Sequence, residues 1–179
     1  VLRAADDGTP PLSTTSQWPV VVAPRGTPGS LKWSFQTGGA IRTCAAIDDD
    51  GTVYVSSEDA KLYALEGTTG RRKWGFAGLG GLAAPSIGPD GTVCIGSTDS
   101  NVYALNGAAG ETKRAFPSGG PVGCPIAVGY DGNVHFVGGD NRIYAVDNRT
   151  GEQRRAVTSA KPLALRGQYS PVIGADGVL

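Results

Sequence analysis

Few side chains in this sequence are of the types that carry chemistry, and His135 is the first to consider. It is the only histidine of the chain. A single imidazole supports neither a metal cluster nor a Ser-His triad, and general acid–base work by His135 stays open without an evident partner. Because His135 lies in the apolar run at 133–137, we expect a strand residue that is packed or half-exposed.

The densest group of carboxylates is the run Asp48-Asp49-Asp50, which Gly51 follows. Calcium ligands in an EF-hand loop alternate with spacer residues and end on a glutamate at the twelfth position. Three consecutive aspartates point in different directions, so we interpret the run as a solvated hairpin turn. We single out no catalytic, cofactor-binding or metal-binding residue in the chain.

The chain has three cysteines, an odd number that does not suit a disulfide framework. No Cys-x-x-Cys spacing occurs, which excludes a zinc site built on that spacing. When the sequence is aligned on the residue that follows, Cys44 and Cys124 fall at the same place in two separate repeats. A disulfide needs Cα atoms within about 7 Å, and repeats that are not neighbours should hold them further apart. We expect this place to require a small side chain near the axis of the fold.

The bulk composition excludes several classes of partner. The chain has 179 residues with 16 basic and 16 acidic side chains, so bulk charge predicts no nucleic-acid partner. No apolar stretch approaches the roughly 20 residues of a membrane-spanning helix, so we expect no membrane insertion. The sequence contains no methionine, and we therefore expect a processed or excerpted chain. The 28 glycines indicate many tight turns between short strands.

Asp-Gly pairs recur through the chain and divide it into repeats. The glycines of four such pairs are Gly51, Gly91, Gly132 and Gly177, at intervals of 40, 41 and 45 residues. Each of the first three is followed by a short β-rich run and preceded by another apolar run. Two β runs joined by Asp-Gly predict a hairpin with a type I′ turn.

A second set of marks keeps the same spacing and completes the unit. Tyr63, Tyr103 and Tyr144 each lie in a short apolar run, after a polar turn and before a turn that ends in glycine. A fourth run follows that glycine. Each repeat therefore predicts four short antiparallel strands, and no window has the apolar period of a helix. Four-stranded units repeated at this period are typical of β-propeller blades.

The repeats predict an all-β fold, a β-propeller of four-stranded antiparallel blades. We divide the chain into an extended segment at 1–28, an outer strand at 29–37, blades at about 40–77, 81–117 and 121–158, and a partial blade at 165–179. This is about half of a seven- or eight-bladed ring. Either the chain is an excerpt, or self-association or a larger complex completes the ring.

The stretch from Ala64 to Trp74 resembles the signature of PQQ-like (pyrroloquinoline-quinone-type) repeats, Ala-x-Asp-x-x-Thr-Gly-x-x-x-Trp, with Glu66 in place of the aspartate. The next two copies end in Arg114 and Arg155 instead of tryptophan. The resemblance implies that the tryptophan docks on the neighbouring blade between the alanine and the glycine turn, where its N–H finds a carbonyl. An arginine can lie over the same slot with its charged head outward.

Quinoprotein dehydrogenases similar to these repeats carry adjacent cysteines, a tryptophan floor under the quinone and acidic calcium ligands. This chain has no adjacent cysteines, and Trp33 and Trp74 are already explained as docking residues. The resemblance therefore implies the non-catalytic branch, similar to the outer-membrane-assembly lipoprotein of bacteria. We expect no enzyme activity and no cofactor.

The expected role is a binding or scaffold module for protein–protein interaction or assembly, with a protein partner. The family resemblance favours a periplasmic or otherwise extracytoplasmic location. Two alternatives stay open at this point. One is a fragment of a PQQ-dependent quinoprotein dehydrogenase, and the other is an extracytoplasmic sensor domain or a structural subunit of a large complex.

Overall fold

The computed structural model describes residues 19–22, for which only the backbone is considered, together with 31–78 and 80–159. Within these ranges the chain forms fourteen β-strands and no helix, so none that could span a membrane. The first two strands, β1 (Pro19–Val22) and β2 (Trp33–Gln36), pair antiparallel in a sheet of their own. The other strands form three sheets of four strands each.

Each four-stranded sheet is an antiparallel meander, in which every strand pairs with the next along the chain. We call the three sheets the first, second and third blade. The first consists of β3 (Ala46–Ile47), β4 (Val53–Ser57), β5 (Lys61–Leu65) and β6 (Arg72–Ala77). The second consists of β7 (Ser86–Ile87), β8 (Thr92–Gly96), β9 (Asn101–Asn106) and β10 (Thr112–Pro117). The third consists of β11 (Ala127–Val128), β12 (Asn133–Val137), β13 (Arg142–Asp147) and β14 (Gln153–Thr158).

The burial of the strands follows their place in the blade. All five residues of β4 and all five of β8 are buried, because the second strand of a blade is covered on both faces. The outer strands β6 and β10 are mostly exposed. A strand buried on both faces has a continuous apolar run rather than an alternating one. This is why Val53, Tyr54 and Val55 follow one another without a polar spacer.

The core lies between the blades rather than inside any one of them. Tyr54, Leu62 and Ala64 of the first blade pack with Val93 and Ile95 of the second. A separate cluster joins the second blade to the third, and its members include Cys94, Val102, Phe116, Val134, Phe136 and Val146. The blades therefore stabilise one another by stacking, as expected for repeats that cannot bury both faces alone.

The first turn of each blade differs from the type I′ turn that its Asp-Gly pair predicts. The N–H of Gly51 donates to the carbonyl of Asp48 (2.9 Å), and Gly51 alone takes a positive φ, at 79°. The carboxylate of Asp50 accepts from the N–H of Thr52 (2.8 Å). This Asx hydrogen bond holds Asp50 outside the left-handed region, so the turn is a type I turn followed by a left-handed glycine. The prediction of a hairpin is confirmed, and the turn type was wrong.

The recurring tyrosines close the second turn of each blade. Tyr103 donates its hydroxyl hydrogen to the carboxylate of Asp99 (2.6 Å), and Tyr144 does the same to Asp140 (2.5 Å). Tyr63 pairs with Asp59 in the first blade. In each case the tyrosine reaches back four residues across the hairpin. The spacing of the tyrosines in the sequence therefore reflects a hydrogen bond that fixes the turn.

Tryptophan docking between blades is present where the sequence predicts it. The indole N–H of Trp33 donates to the carbonyl of Gly67 (3.0 Å), and that of Trp74 donates to Gly107 (2.8 Å). A Cβ added to Gly110 would lie 2.5 Å from the ring of Trp74. Gly110 also has a positive φ of 76°, so both space and backbone require glycine there.

The first arginine in the docking series uses the same slot. The Cδ and Nη1 atoms of Arg114 lie 3.6 Å from the place of a Cβ on Gly151, and Arg114 is exposed. The stem and the guanidinium of Arg114 both lie over the glycine, so the head does not point away from the slot as we expected, although the residue as a whole is exposed. The residues that would receive Arg155 lie outside the described ranges.

The domain boundaries stay predictions. Of the segment 1–28 the structure describes only the backbone of β1. This strand lies in the segment that we expected to be extended and to precede the first strand, and it pairs with β2. The partial blade at 165–179, with its Asp176-Gly177 pair, lies outside the described residues.

Candidate functional site

The inner strands of the three blades lie side by side and bring one apolar position of each repeat together. Strand β7 contacts both β3 and β11. In each blade the last residue of the inner strand pairs with a valine of the next strand: Ile47 with Val53, Ile87 with Val93 and Val128 with Val134. Because the register is the same in all three, these inner-strand side chains belong to one surface at the axis of the blades.

An open cavity of about 430 Å³ lies at this surface. It is lined by Ile47, Asp48, Asp49, Ile87, Gly88, Pro89, Gly91, Val128 and Tyr130. Ile47 is 68% exposed and Tyr130 is 100% exposed, whereas Ile87 and Val128 are half-buried and form the floor. We call Ile47, Ile87, Val128 and Tyr130 the axial patch. Sequence reasoning missed it, although an aromatic side chain in a turn next to an Asp-Gly pair was a visible signal.

The charges around the axial patch are arranged by the turns. Asp48 and Asp49 are the charged residues that line the cavity. The next carboxylate, Asp50, turns away from them, since it pairs with Lys73 of the outer strand β6 at 2.9 Å. Hydrogen bonds from Thr52 and Lys73 lower the pKa of Asp50 to about 2. In the described residues no ion pair involves Asp48 or Asp49, so the cavity has an acidic rim.

The run of three aspartates is a hairpin turn, as the sequence predicts. Asp48 accepts from the N–H of Asp49 (2.8 Å), and Asp50 accepts from Thr52. The carboxylates of Asp48 and Asp50 therefore serve the turn itself. Across the described ranges, no group of three or more histidine, cysteine, aspartate or glutamate side chains is placed to hold a metal ion.

His135 lies in β12 and is buried, with 8% of its surface exposed, which confirms the packed strand residue that we expected. Neither ring nitrogen has a hydrogen-bond partner in the described part of the chain. Burial lowers the pKa of the imidazole below its ordinary value of 6.5. At the same position of the first blade, Tyr54 donates to the carbonyl of Gly107 in the next blade (3.1 Å). His135 therefore stands in an inter-blade packing position, away from the axial patch.

The three cysteines are free thiols in different surroundings. Cys44 is exposed, whereas Cys94 and Cys124 are buried. Burial raises the pKa of Cys94 to about 12, so this thiol stays protonated and is a poor nucleophile. Cys94 takes the place that Tyr54 has in the first blade, and its sulfur lies 4.0 Å from the side-chain oxygen of Asn148 in the next blade.

The equivalence of Cys44 and Cys124 was wrong by one residue. Cys44 lies three residues before Ile47, and it is Pro125 that lies three residues before Val128. Cys124 therefore comes one position earlier in its repeat than Cys44 does. The hydrogen bonds of the inner strands set the register, and a proline ahead of the strand does not. The two cysteines share no common site near the axis, which explains why one is exposed and the other buried.

Comparisons with known proteins point in one direction. The sequence profile of the family described as outer membrane protein assembly factor BamB matches residues 5–123, which is more than half of the chain. No curated protein matches. Among solved structures, BamB from Moraxella catarrhalis has a TM-score of 0.63 at 24% identity, over 74% of this chain and 41% of that one.

Two further structures share the architecture without close sequence similarity. The WD40 β-propeller domain of Doa1 has a TM-score of 0.67 at 17% identity, over 83% of this chain and 50% of that one. The computationally designed protein Ika8 has a TM-score of 0.65 at 19% identity, over 74% of this chain and 41% of that one. This chain thus spans half or less of the length of each of these three structures.

These likenesses show the fold, and the profile shows the family. The internal repeat, the three stacked four-stranded sheets and the docking tryptophans agree with this assignment. The chain forms part of a β-propeller and belongs to the outer membrane protein assembly factor BamB family.

Proposed function

We propose that the chain is a non-catalytic propeller module that binds a partner protein through the axial patch. The observation that carries the proposal is the full exposure of Tyr130 beside a cavity floored by Ile87 and Val128, with Ile47 at its open edge. Apolar side chains grouped in this way on a surface mark interaction sites more often than isolated ones do. A tyrosine is also among the residues that contribute most to binding at protein interfaces.

The scaffold suits such a role because it holds the patch in place. The patch residues sit at the ends of two-residue inner strands and in tight turns, each anchored by pairing to a buried second strand. Binding residues on loops of a rigid framework lose little conformational freedom when a partner arrives. The stacked blades therefore supply a surface that is already formed.

The related proteins support the same class of role. BamB, whose family model matches this chain, is by its name an assembly factor. An extracytoplasmic location for this chain is part of the proposal, and it rests on the outer-membrane assembly named in the family description. Because the chain lacks adjacent cysteines, we do not extend the proposal to quinone chemistry.

Site-specific photocrosslinking tests the proposal. A photoreactive p-benzoylphenylalanine is placed at position 130 of the full chain, expressed in its own cells, and the matched control carries it at position 157. Val157 is an exposed apolar residue of the same blade, 44% exposed, but it lies on the outer strand β14. We expect a discrete protein adduct from position 130 and none of that mass from position 157. Adducts from neither position, or the same adduct from both, would contradict the proposal.

A further inference from the structure

The chemistry around the axial patch indicates what kind of segment binds there, an inference that rests on the proposed function. We propose that the patch takes a segment of a partner protein that combines apolar side chains with lysine or arginine.

The apolar half of the inference follows from the cavity. Its floor is Ile87 and Val128, and its open sides are Ile47 and Tyr130. These side chains come from three blades, so a segment that lies across them contacts all three. An apolar side chain in the cavity would remove both its own surface and that of Ile47 from water, which is the main driving force of such contacts.

The expectation of lysine or arginine in the bound segment follows from the direction in which the lysines of the blades point. Lys73 reaches Asp50 from the outer strand β6, and Lys113 reaches Asp90 from β10 at 3.8 Å. Both lysines therefore neutralise their turns on the side away from the axis. No lysine or arginine lines the cavity, whereas Asp48 and Asp49 do.

The third blade departs from this arrangement in a way that adds negative charge. Arg154 occupies the place that Lys113 has in the second blade, but it pairs with Asp147 at 2.6 Å. The turn carboxylate next to Tyr130 is Asp131, which accepts from the side-chain amide of Asn133 (2.6 Å). An amide donor leaves the negative charge in place. Asp131 makes no ion pair within the described residues, but it occupies the place of Asp50 and does not line the cavity, so the acidic rim consists of Asp48 and Asp49.

An acidic rim around an apolar floor selects among partners by charge. A lysine or arginine beside the apolar contact gains Coulomb attraction from Asp48 and Asp49, and a glutamate there meets repulsion. Because both carboxylates are near the surface, the preference should weaken as salt is added. The geometry thus favours an apolar and basic segment over an apolar and acidic one.

Binding of three synthetic octapeptides to the full chain tests the inference by fluorescence anisotropy. The probe alternates valine with lysine, one control replaces every lysine by glutamate, and the other replaces every valine by serine. We expect the valine–lysine peptide to bind about tenfold or more tightly than either control at low salt, and to lose most of its advantage over the glutamate peptide at high salt. Equal binding of the lysine and glutamate peptides would overturn the inference.

Variants of the chain locate the binding. Asp49→Asn keeps the size of an exposed side chain whose carboxylate makes no hydrogen bond within the turn, so the fold should persist. We expect Asp49→Asn to lower the affinity for the valine–lysine peptide and to make that affinity less dependent on salt. Glu111→Gln, on the exposed turn before β10, should change neither the affinity nor its salt dependence. Tyr130→Ser should weaken binding about tenfold, and Val157→Ser should not. A Tyr130→Ser variant with unchanged affinity would overturn the inference.

The two proposals fail separately. If position 130 crosslinks a partner and the peptides show no preference for lysine, the chain binds protein there but not through a basic segment. If position 130 yields no adduct and no peptide binds, both proposals are wrong.

Discussion

At the scale of single residues, the buried polar side chains show how one repeat position is filled in different ways. Tyr54 meets the next blade with a hydroxyl that donates to Gly107, and Cys94 meets it with a thiol near Asn148. His135 holds the same position in the third blade with both nitrogens unpaired in the described part of the chain. Buried polar atoms without partners are unfavourable in a fold. A proton on the imidazole of His135 would add a buried charge, and burial therefore lowers the pKa of this side chain.

The lowered pKa of His135 predicts a loss of stability in mild acid. The unfolded chain binds a proton as the pH falls through about 6.5, whereas the folded imidazole, with its depressed pKa, does not until lower pH. The contribution of neutral His135 to the free energy of unfolding is therefore fully present above pH 6.5, and it is lost as the pH falls through that value toward the pKa of the folded state. Thermal melts from pH 8 to pH 5 should show a falling Tm.

The matched variant for this test is His135→Phe, which has a similar size and no proton to gain. We expect its Tm to change less with pH over the same range. An unchanged slope in the variant would mean that other groups cause the pH dependence. The charge of Asp131 acts on His135, and hydrogen bonds from Asn133 lower the pKa of Asp131. Asp131 should therefore titrate below the range from pH 8 to pH 5 that the melts cover.

At the scale of elements, each blade is a hairpin meander whose turns are fixed by side chains. The Asp-Gly spacing predicted the hairpins, and the turn type was wrong because the Asx hydrogen bond that the N–H of Thr52 donates to the carboxylate of Asp50 competes with the type I′ conformation. The docking of Trp33 and Trp74 was predictable from the family signature, because a large ring needs the glycine beneath it. The register of Cys124 was missed because the alignment followed a proline, although the Asp-Gly intervals of 40 and 41 residues place Pro125, not Cys124, at the position of Cys44.

Two glycine substitutions separate backbone strain from packing at these turns. Gly91 has a φ of 71° with nothing within 4 Å of an added Cβ, whereas a Cβ on Gly110 would overlap the ring of Trp74. Gly91→Ala should therefore cost about 1 kcal/mol from backbone strain alone. Gly110→Ala should cost about 1–3 kcal/mol more, since a rigid indole must move. Urea denaturation measures both, and equal costs would contradict the docking of Trp74 on Gly110.

At the scale of the whole described molecule, the stacking of the blades brings side chains from three repeats together into one surface. Ile47, Ile87 and Val128 are about 40 residues apart in the chain and adjacent at the axis. Sequence periodicity gave the blades but not the axial patch, because a patch depends on which side chains the three inner strands leave uncovered. Tyr130 shows the difficulty, since its two counterparts in the other turns are Asp49 and Pro89.

A partner protein bound as we propose covers the axial patch. Hydroxyl-radical footprinting of the chain, alone and in complex with the partner captured through position 130, tests this placement. Tyr130 and Ile47 are exposed in the free chain, so their oxidation should fall several-fold in the complex, while the oxidation of Val157 on the outer strand should stay the same. Protection of Val157 with Tyr130 still fully oxidised would show that the partner binds elsewhere and would contradict the account.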